Sequence, residues 1–484
     1  MAGTPMHKAE HSTGREGLQA LEQRLAQDLA WLALPAQPWV PAADIHGQPL
    51  LDVAIIGGGM AGMAAATALK HLGICAPIFD AAPAGFEGPW ATTARMETLR
   101  SPKHLTGPAL GLPALTFRAW FEAQFGQQAW DALDKIPRLQ WMDYLRWYRR
   151  VMKVDLRNQH DVCNIVPHPD YVQLDIQTPD GARTAYARRV VLATGRDGLG
   201  GATVPDFIQG VSRKHWAHSS DDTDYASLRG LRVGVVGAGA SAMDSAATAL
   251  ENGAASVDLL IRRPEMPSIN KNKGAGHPGY VHGFAGLPDE WKWRIRHYIN
   301  VQQVPPPRGS VLRVSRHPQA RFHLGSPVLS VTEAGNTLQV ATPRKTFELD
   351  FLVLSTGFCI DWNSRPEYAM IAPHLRVWSD RFQPEEGGDD RELRDSPDLG
   401  PAFEFQEKSP GALPGLSRVH CFCYPATLTH GQVSGDIPAI SDGAGRLSRG
   451  IASLLLTETV ATQFADLQAY AEPEVFGDEW TPAD

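Results

Sequence analysis

Two short stretches of this chain carry residue types at a spacing that can hold a phosphate, and they end in opposite charges. In the first, Val53–Ile56 is an apolar run, Gly57, Gly59 and Gly62 follow in GxGxxG spacing with Met60 and Ala61 between them, and Ala64–Leu72 is rich in helix formers. The first glycine permits a tight turn, the second lets the backbone approach a pyrophosphate, and the third lets helix and strand pack closely. The free N–H groups at the helix start then face the phosphates. A further apolar run, Ala76–Phe79, ends in Asp80, whose carboxylate can accept from an adenosine ribose and would repel a 2′-phosphate. This unit is expected to hold FAD or NAD rather than NADP.

The second stretch repeats the plan with the charge reversed. Arg232–Val236 reads as a strand, Gly237, Gly239 and Ala242 give GxGxxA with Ala240 and Ser241 opening the helix, and Val257–Ile261 is the next strand. Where the first unit has Asp80, this one has Arg262 and Arg263. Paired guanidiniums suit a 2′-phosphate, so this site is expected to take NADPH. The contrast between the two ends is the strongest functional signal in the chain.

These motifs require two strand–helix–strand units. The predicted fold class is α/β with two Rossmann-like dinucleotide-binding domains, the NADPH domain (206–329) inserted into a discontinuous FAD domain (49–205 and 330–484), behind a helical extension (1–48). Val190–Thr194 returns the chain to the parallel sheet and closes on Gly195; Phe351–Leu354 repeats the pattern before Thr356 and Gly357. Val162–Val166, Val172–Ile176 and Thr184–Arg188 alternate like short antiparallel strands.

The excursions between these elements are candidate ligand covers. In the Gly-, Pro- and Thr-rich stretch after Ala81, Trp90, Arg95 and Arg100 are candidates to flank an extended flavin ring and its phosphates. The Gly- and His-rich loop after Pro264 carries His277 and His282, and the Pro-rich run Gln302–Gly309 reads as a linker back to the first domain. Near the end, Gly435 and Asp436 precede a helix from about Ala439 to Leu456, so Asp436 can meet a ribityl hydroxyl while the helix start faces a flavin carbonyl.

A length of 484 residues allows two or three domains, and a net charge of -8 without a dense basic run argues against nucleic acid as a partner. With neither a signal-like apolar core nor a spanning apolar run, a soluble cytoplasmic protein with no membrane partner is expected. The cysteines (Cys75, Cys163, Cys359, Cys421, Cys423) show no zinc spacing and no CxxC pair, and no metal is expected. Leu18, Leu21, Leu25, Leu29 and Leu32 lie at helical spacing behind Ser12 and Thr13 as cap candidates. That helix is expected to pack on the main body or to build a homodimer.

Taken together, the first nucleotide unit with Asp80, Ala193-Thr194-Gly195, the second unit with Arg262 and Arg263, Ser355-Thr356-Gly357-Phe358, and Gly435-Asp436 resemble the class B flavin-dependent monooxygenases. That class includes the flavin-containing, N-hydroxylating and Baeyer–Villiger branches, and the resemblance covers about residues 50 to 460. Phe207–Ser219 is similar to the Phe/Gly/His linker of the class, with two residues between Phe207 and Gly210 and four between Gly210 and His215. The resemblance implies a glutathione-reductase-like architecture. It also implies FAD reduced by NADPH, O2 adding to form a C4a-hydroperoxyflavin, and one oxygen atom passing to a small organic substrate. The flavin would do the chemistry, so few catalytic side chains are implied and none is assigned. Two other readings are a reductase of the thioredoxin-reductase-like class without a CxxC pair, and a redox sensor that binds FAD and NADPH without turnover.

Overall fold

The computed structural model describes residues 13–483. The chain opens with helix α1 (Gly14–Trp31), which starts after Thr13 without a side-chain cap; Ser12 lies outside the described residues. Leu25 is buried and Leu18, Leu21 and Leu29 pack beside it, while Leu32 is exposed. The helix lies against its own chain: Glu22 accepts from Arg150 and from the Trp147 indole on helix α4 (Arg138–Val151), which follows α3 (Phe117–Ala132).

The first sheet carries the first nucleotide unit. Strand β1 (Gln48–Ile56) leads into helix α2 (Met60–His71) and on to β2 (Ile78–Asp80) and β3 (Leu156–Asn158), each parallel to its neighbour. Strands β4 (Asp161–Pro167) and β5 (Val172–Thr178) form an antiparallel ribbon. The sequence suggests two strands after this ribbon, but there is one. Strand β6 (Gly181–Leu192) pairs antiparallel with β5 along its first half and parallel with β1 along its second. Its end, Val190–Leu192, also pairs with a late strand, Val419–Cys421. An alternating exposed half followed by a wholly buried half is what a strand needs when it passes from a ribbon into a covered parallel sheet.

The second sheet has the same plan. Strand β7 (Trp216–His218), β8 (Arg232–Val236), helix α5 (Ala240–Glu251), β9 (Ser256–Leu260), β10 (Ala320–His323) and β11 (Phe351–Leu354) give the order β10-β9-β8-β11-β7, all parallel. The expected return to the first domain at 330 is therefore too early. Phe351–Leu354 is the fourth strand of the second sheet, and the chain crosses back only after it. Both crossings coincide at a two-stranded pair, Gly200–Ala202 against Phe358–Ile360.

The Pro-rich run is not a linker to the first domain either. It joins two helices, α6 (Asp289–Gln302) and α7 (Arg308–Ser315). Helix α7 packs on α5 of the second domain. Helix α6 crosses to the first: Trp293 is buried with Trp378, Leu393 and Leu428, and its indole donates to the Gly388 carbonyl at 2.9 Å. Arg381 reaches back to Asp289 at 2.7 Å. A long helix, α8 (Ile440–Ala469), closes the chain against α2. No helix among the described residues is long and apolar enough to cross a membrane.

Candidate active site between the two nucleotide domains

The first turn has the geometry its glycines demand. Gly57 sits at φ +102, and a β-carbon there would lie 2.5 Å from the Ala193 carbonyl oxygen. A β-carbon on Gly62 would overlap the Gly57 carbonyl, so the helix can close on the strand only without a side chain. Gly59 is the helix N-cap in an extended conformation, and its open side meets only the Gly88 Cα, at 3.9 Å. Met60 is buried at the helix start and Ala61 half-buried. At the strand end, Asp80 accepts from the backbone N–H groups of Gly58 at 2.5 Å and Ala82 at 2.7 Å. These two donors fix the carboxylate beside the turn, although burial pushes its pKa up.

The second turn repeats this. Gly237 sits at φ +133, and a β-carbon there would lie 2.6 Å from the Ser355 carbonyl oxygen; Gly239 has no neighbour within 4 Å, leaving the approach to the helix start open. Ala240 is buried and Ser241 exposed at that start. Arg262 is exposed and has no side-chain partner among the described residues, while Arg263 donates to the Val301 carbonyl at 2.9 Å. One guanidinium is therefore free for a phosphate and the other is partly committed to the end of α6.

Between the turns the structure divides the remaining candidates. Gly195 (φ +87) is open on its side-chain face, and the adjacent Thr194 hydroxyl is buried without a partner. Trp90 is half-buried, packing edge-on against Trp141 with ring centroids 6.4 Å apart. Arg95 turns away from the first unit: it donates to the Thr92 and Thr223 carbonyls, and its guanidinium lies 5.3 Å from the Tyr225 ring centroid. Through these contacts it braces the two domains. Thr356 donates to the Thr203 carbonyl at 2.5 Å and Thr203 to the Gly357 carbonyl at 2.9 Å, so this pair clamps the crossing between the domains. His277 and His282 are exposed, His282 lying 3.9 Å from Asp442. Cys421 and Cys423 are fully buried core residues whose sulfurs lie 3.5 Å apart.

Asp436 does not cap its helix. It keeps solvent access yet is substantially desolvated, which pushes its pKa up against the opposing charges of Arg196, Arg296 and Arg100. Arg196, the residue after Gly195, stacks on Tyr424 with its guanidinium 4.1 Å from the ring centroid. Arg296 comes from α6 and lines a narrow crevice with Tyr424 and Glu392. Arg100 and Arg196 keep solvent access yet are substantially desolvated, which is the signature of side chains lining a deep concave surface. Of these, only Arg100 and Asp436 stand out in the sequence. An arginine directly after the Thr-Gly turn was a usable signal for Arg196; nothing local marks Arg296, Glu392 or Tyr424.

The resemblance to known proteins follows the same lines. The family model of L-lysine 6-monooxygenase/L-ornithine 5-monooxygenase matches residues 125–304. The FAD-dependent urate hydroxylase of Xanthomonas campestris pv. campestris is 37% identical over 467 residues, covering 96% of this chain and 98% of that one. The ornithine N-hydroxylase of Kutzneria sp. 744 superposes with a TM-score of 0.63 at 19% identity over 84% of this chain and 99% of its own. The ornithine hydroxylase of Pseudomonas aeruginosa gives 0.65 at 15% identity over 83% and 98%.

Proposed function

The chain belongs to the class B flavin-dependent monooxygenases, and from that premise we propose that it hydroxylates urate or a closely similar oxo-purine. It is an FAD- and NADPH-dependent oxidoreductase, and the overall change is substrate, O2, NADPH and a proton going to hydroxylated substrate, NADP+ and water. The observation that carries the substrate reading is the 37% identity running almost end to end in both chains, nucleotide units and α6 excursion included.

The residues fit the two cofactors. Gly57, Gly59 and Gly62 leave the first helix start clear for a pyrophosphate, Asp80 is oriented for a ribose, and the unpartnered Thr194 hydroxyl and open Gly195 border the expected flavin position. Gly237, Gly239 and Ser241 offer the same to NADPH, and the exposed Arg262 would meet its 2′-phosphate with Arg263 in support. When bound, the flavin supplies two-electron reduction and the activation of O2. The two helix starts would hold the nucleotides, and α6 with the loop before it reaches from the second domain onto the first beside them. Arg446 ties that loop down, donating to the Val281 carbonyl at 2.7 Å.

Side-chain N-hydroxylation of an amino acid is the second reading, favoured by the family-model match over residues 125–304. Purified holoenzyme given NADPH in 18O2 separates the two. Urate should couple NADPH oxidation to incorporation of one labelled oxygen, and L-ornithine and L-lysine should not. Coupled turnover of an amine with urate inert would reverse the assignment.

A further inference from the structure

Resting on the monooxygenase reading, we propose that Arg100, Arg196 and Arg296 together recognise the negative charge of a planar, carbonyl-rich substrate, which makes this site selective for an anionic heterocycle and closed to cationic amines.

Three separate parts of the chain deliver these guanidiniums. Arg100 comes from the excursion after the first nucleotide unit, Arg196 from the turn that ends β6, and Arg296 from α6, which crosses over from the second domain. Arg296 is the most telling. Only 4% of it is exposed and its Nε has no hydrogen-bond partner. A buried guanidinium without partners is costly, and structures keep one where a ligand completes it.

Other arginines of this chain show what satisfaction looks like. Arg313 meets Glu251 at 2.7 Å and Asp244 at 3.5 Å, and the buried Asp398 is shared by Arg376 and Arg381. Arg100, Arg196 and Arg296 form no such ion pair among the described residues. The carboxylates that face them are Asp436, Glu392 and, beside Arg100, Asp244 of α5. A guanidinium presents parallel N–H donors in one plane, which matches adjacent carbonyl and deprotonated nitrogen atoms on a ring, and Tyr424 adds an aromatic wall beneath Arg196. A protonated amine would meet like charge from three sides. The position agrees with a site between the two units: Gly195 and Asp436 flank the group on the first domain, and Asp244 near the start of α5 faces Arg100 from the second.

The test uses the holoenzyme, a matched panel and three variants. Wild-type protein is offered urate, the uncharged hypoxanthine, and the cations L-ornithine and cadaverine, reading NADPH-coupled O2 consumption. Arg296→Gln, Arg196→Gln and Arg296→Lys are then compared for KM, kcat and bound FAD, and for urate affinity by equilibrium dialysis. Only the anion should be turned over. Arg296→Gln should raise its KM and dissociation constant by about tenfold to a hundredfold, the range for losing a charged hydrogen bond in a buried site, with FAD content unchanged and partial rescue in Arg296→Lys. Unchanged urate affinity in both glutamine variants would overturn the proposal, as would loss of FAD or NADPH binding in place of urate binding, or a wild-type preference for a cation. Dialysis keeps the two claims apart. Urate bound by wild type and lost in Arg296→Gln supports the arginine site even where turnover fails, and turnover of urate with indifferent variants leaves the activity standing without it.

Discussion

The two nucleotide turns share one backbone and differ in what stands at the end of the next strand. Gly57 and Gly237 both take positive φ, +102 and +133, and both press against a carbonyl oxygen of the neighbouring strand end. Gly59 and Gly239 are both extended N-caps, with ψ of -173 and -175. What is common is what a phosphate at a helix start requires. At the strand ends the likeness stops. Asp80 is pinned by two backbone donors, whereas Arg262 is free and Arg263 is held only by the Val301 carbonyl. A fixed carboxylate suits a cofactor that stays bound; a mobile cation suits a coenzyme that must enter and leave in each turnover.

The sharpest way to break this comparison is Gly62→Ala. The added methyl would collide with the Gly57 carbonyl, a backbone atom that cannot move without reopening the turn. We expect protein that either fails to accumulate or purifies without flavin, read as the ratio of visible to protein absorbance. A normal flavin content would show that the close approach is not needed for binding.

Much of this frame was legible in the sequence because it is local. Glycine spacing, apolar runs and the charge after a strand are written within about thirty residues, which is why the opposition of Asp80 and Arg262 shows in the order of residues alone. What was not legible is pairing across distance. Phe351–Leu354 looks like the end of either sheet, since an apolar run followed by Thr-Gly serves both, and only its pairing with Val233–Val236 decides. Gln302–Gly309 has linker composition, but the prolines cap and separate two helices that dock on different domains. The arginine group is the extreme case: residues 100, 196 and 296 meet through packing that no periodicity reports.

The next largest effect tests whether acid attacks the domains unequally. His420 and His430, both in the first domain, are buried and held at about 3, well below the usual 6.5, by desolvation and by the nearby Arg189 and Arg446 respectively. A lowered folded pKa means that the unfolded chain binds more protons between those values. Stability is thus intact above pH 6.5 and falls as pH drops toward 3, by about 1.4 kcal/mol per pH unit for each histidine, or roughly 3 kcal/mol for the pair at one unit below. Melting followed by flavin release at pH 7.5, 6.5 and 5.5 should shift downward only below 6.5. A flat profile would mean that these rings find protons or water in the folded state.

Removing the charge at the second site should act on the coenzyme alone. Arg262→Ala with Arg263→Ala should raise the KM for NADPH by about tenfold to a hundredfold and narrow its preference over NADH, with bound FAD unchanged. Because Arg263 already serves the Val301 carbonyl, Arg262→Ala by itself should carry most of the loss. An unchanged KM in the double variant would remove the assignment of this strand end to the 2′-phosphate.

The smallest effect is the most specific, because it reverses the first. At the third position of the second turn Ala242 is fully buried, so a methyl is accommodated where a β-carbon on Gly62 would meet the Gly57 carbonyl. Ala242→Gly relieves no clash; it restores backbone freedom inside a helix and removes one buried methyl, at a cost of about 1–2 kcal/mol. Its expected result is a fall of a few degrees at most in the melting temperature, with KM for NADPH unchanged. Should Ala242→Gly instead impair NADPH as Gly62→Ala impairs FAD, the methyl would be setting the helix position at the phosphate, and the two turns would differ in their backbones as well as in their charge.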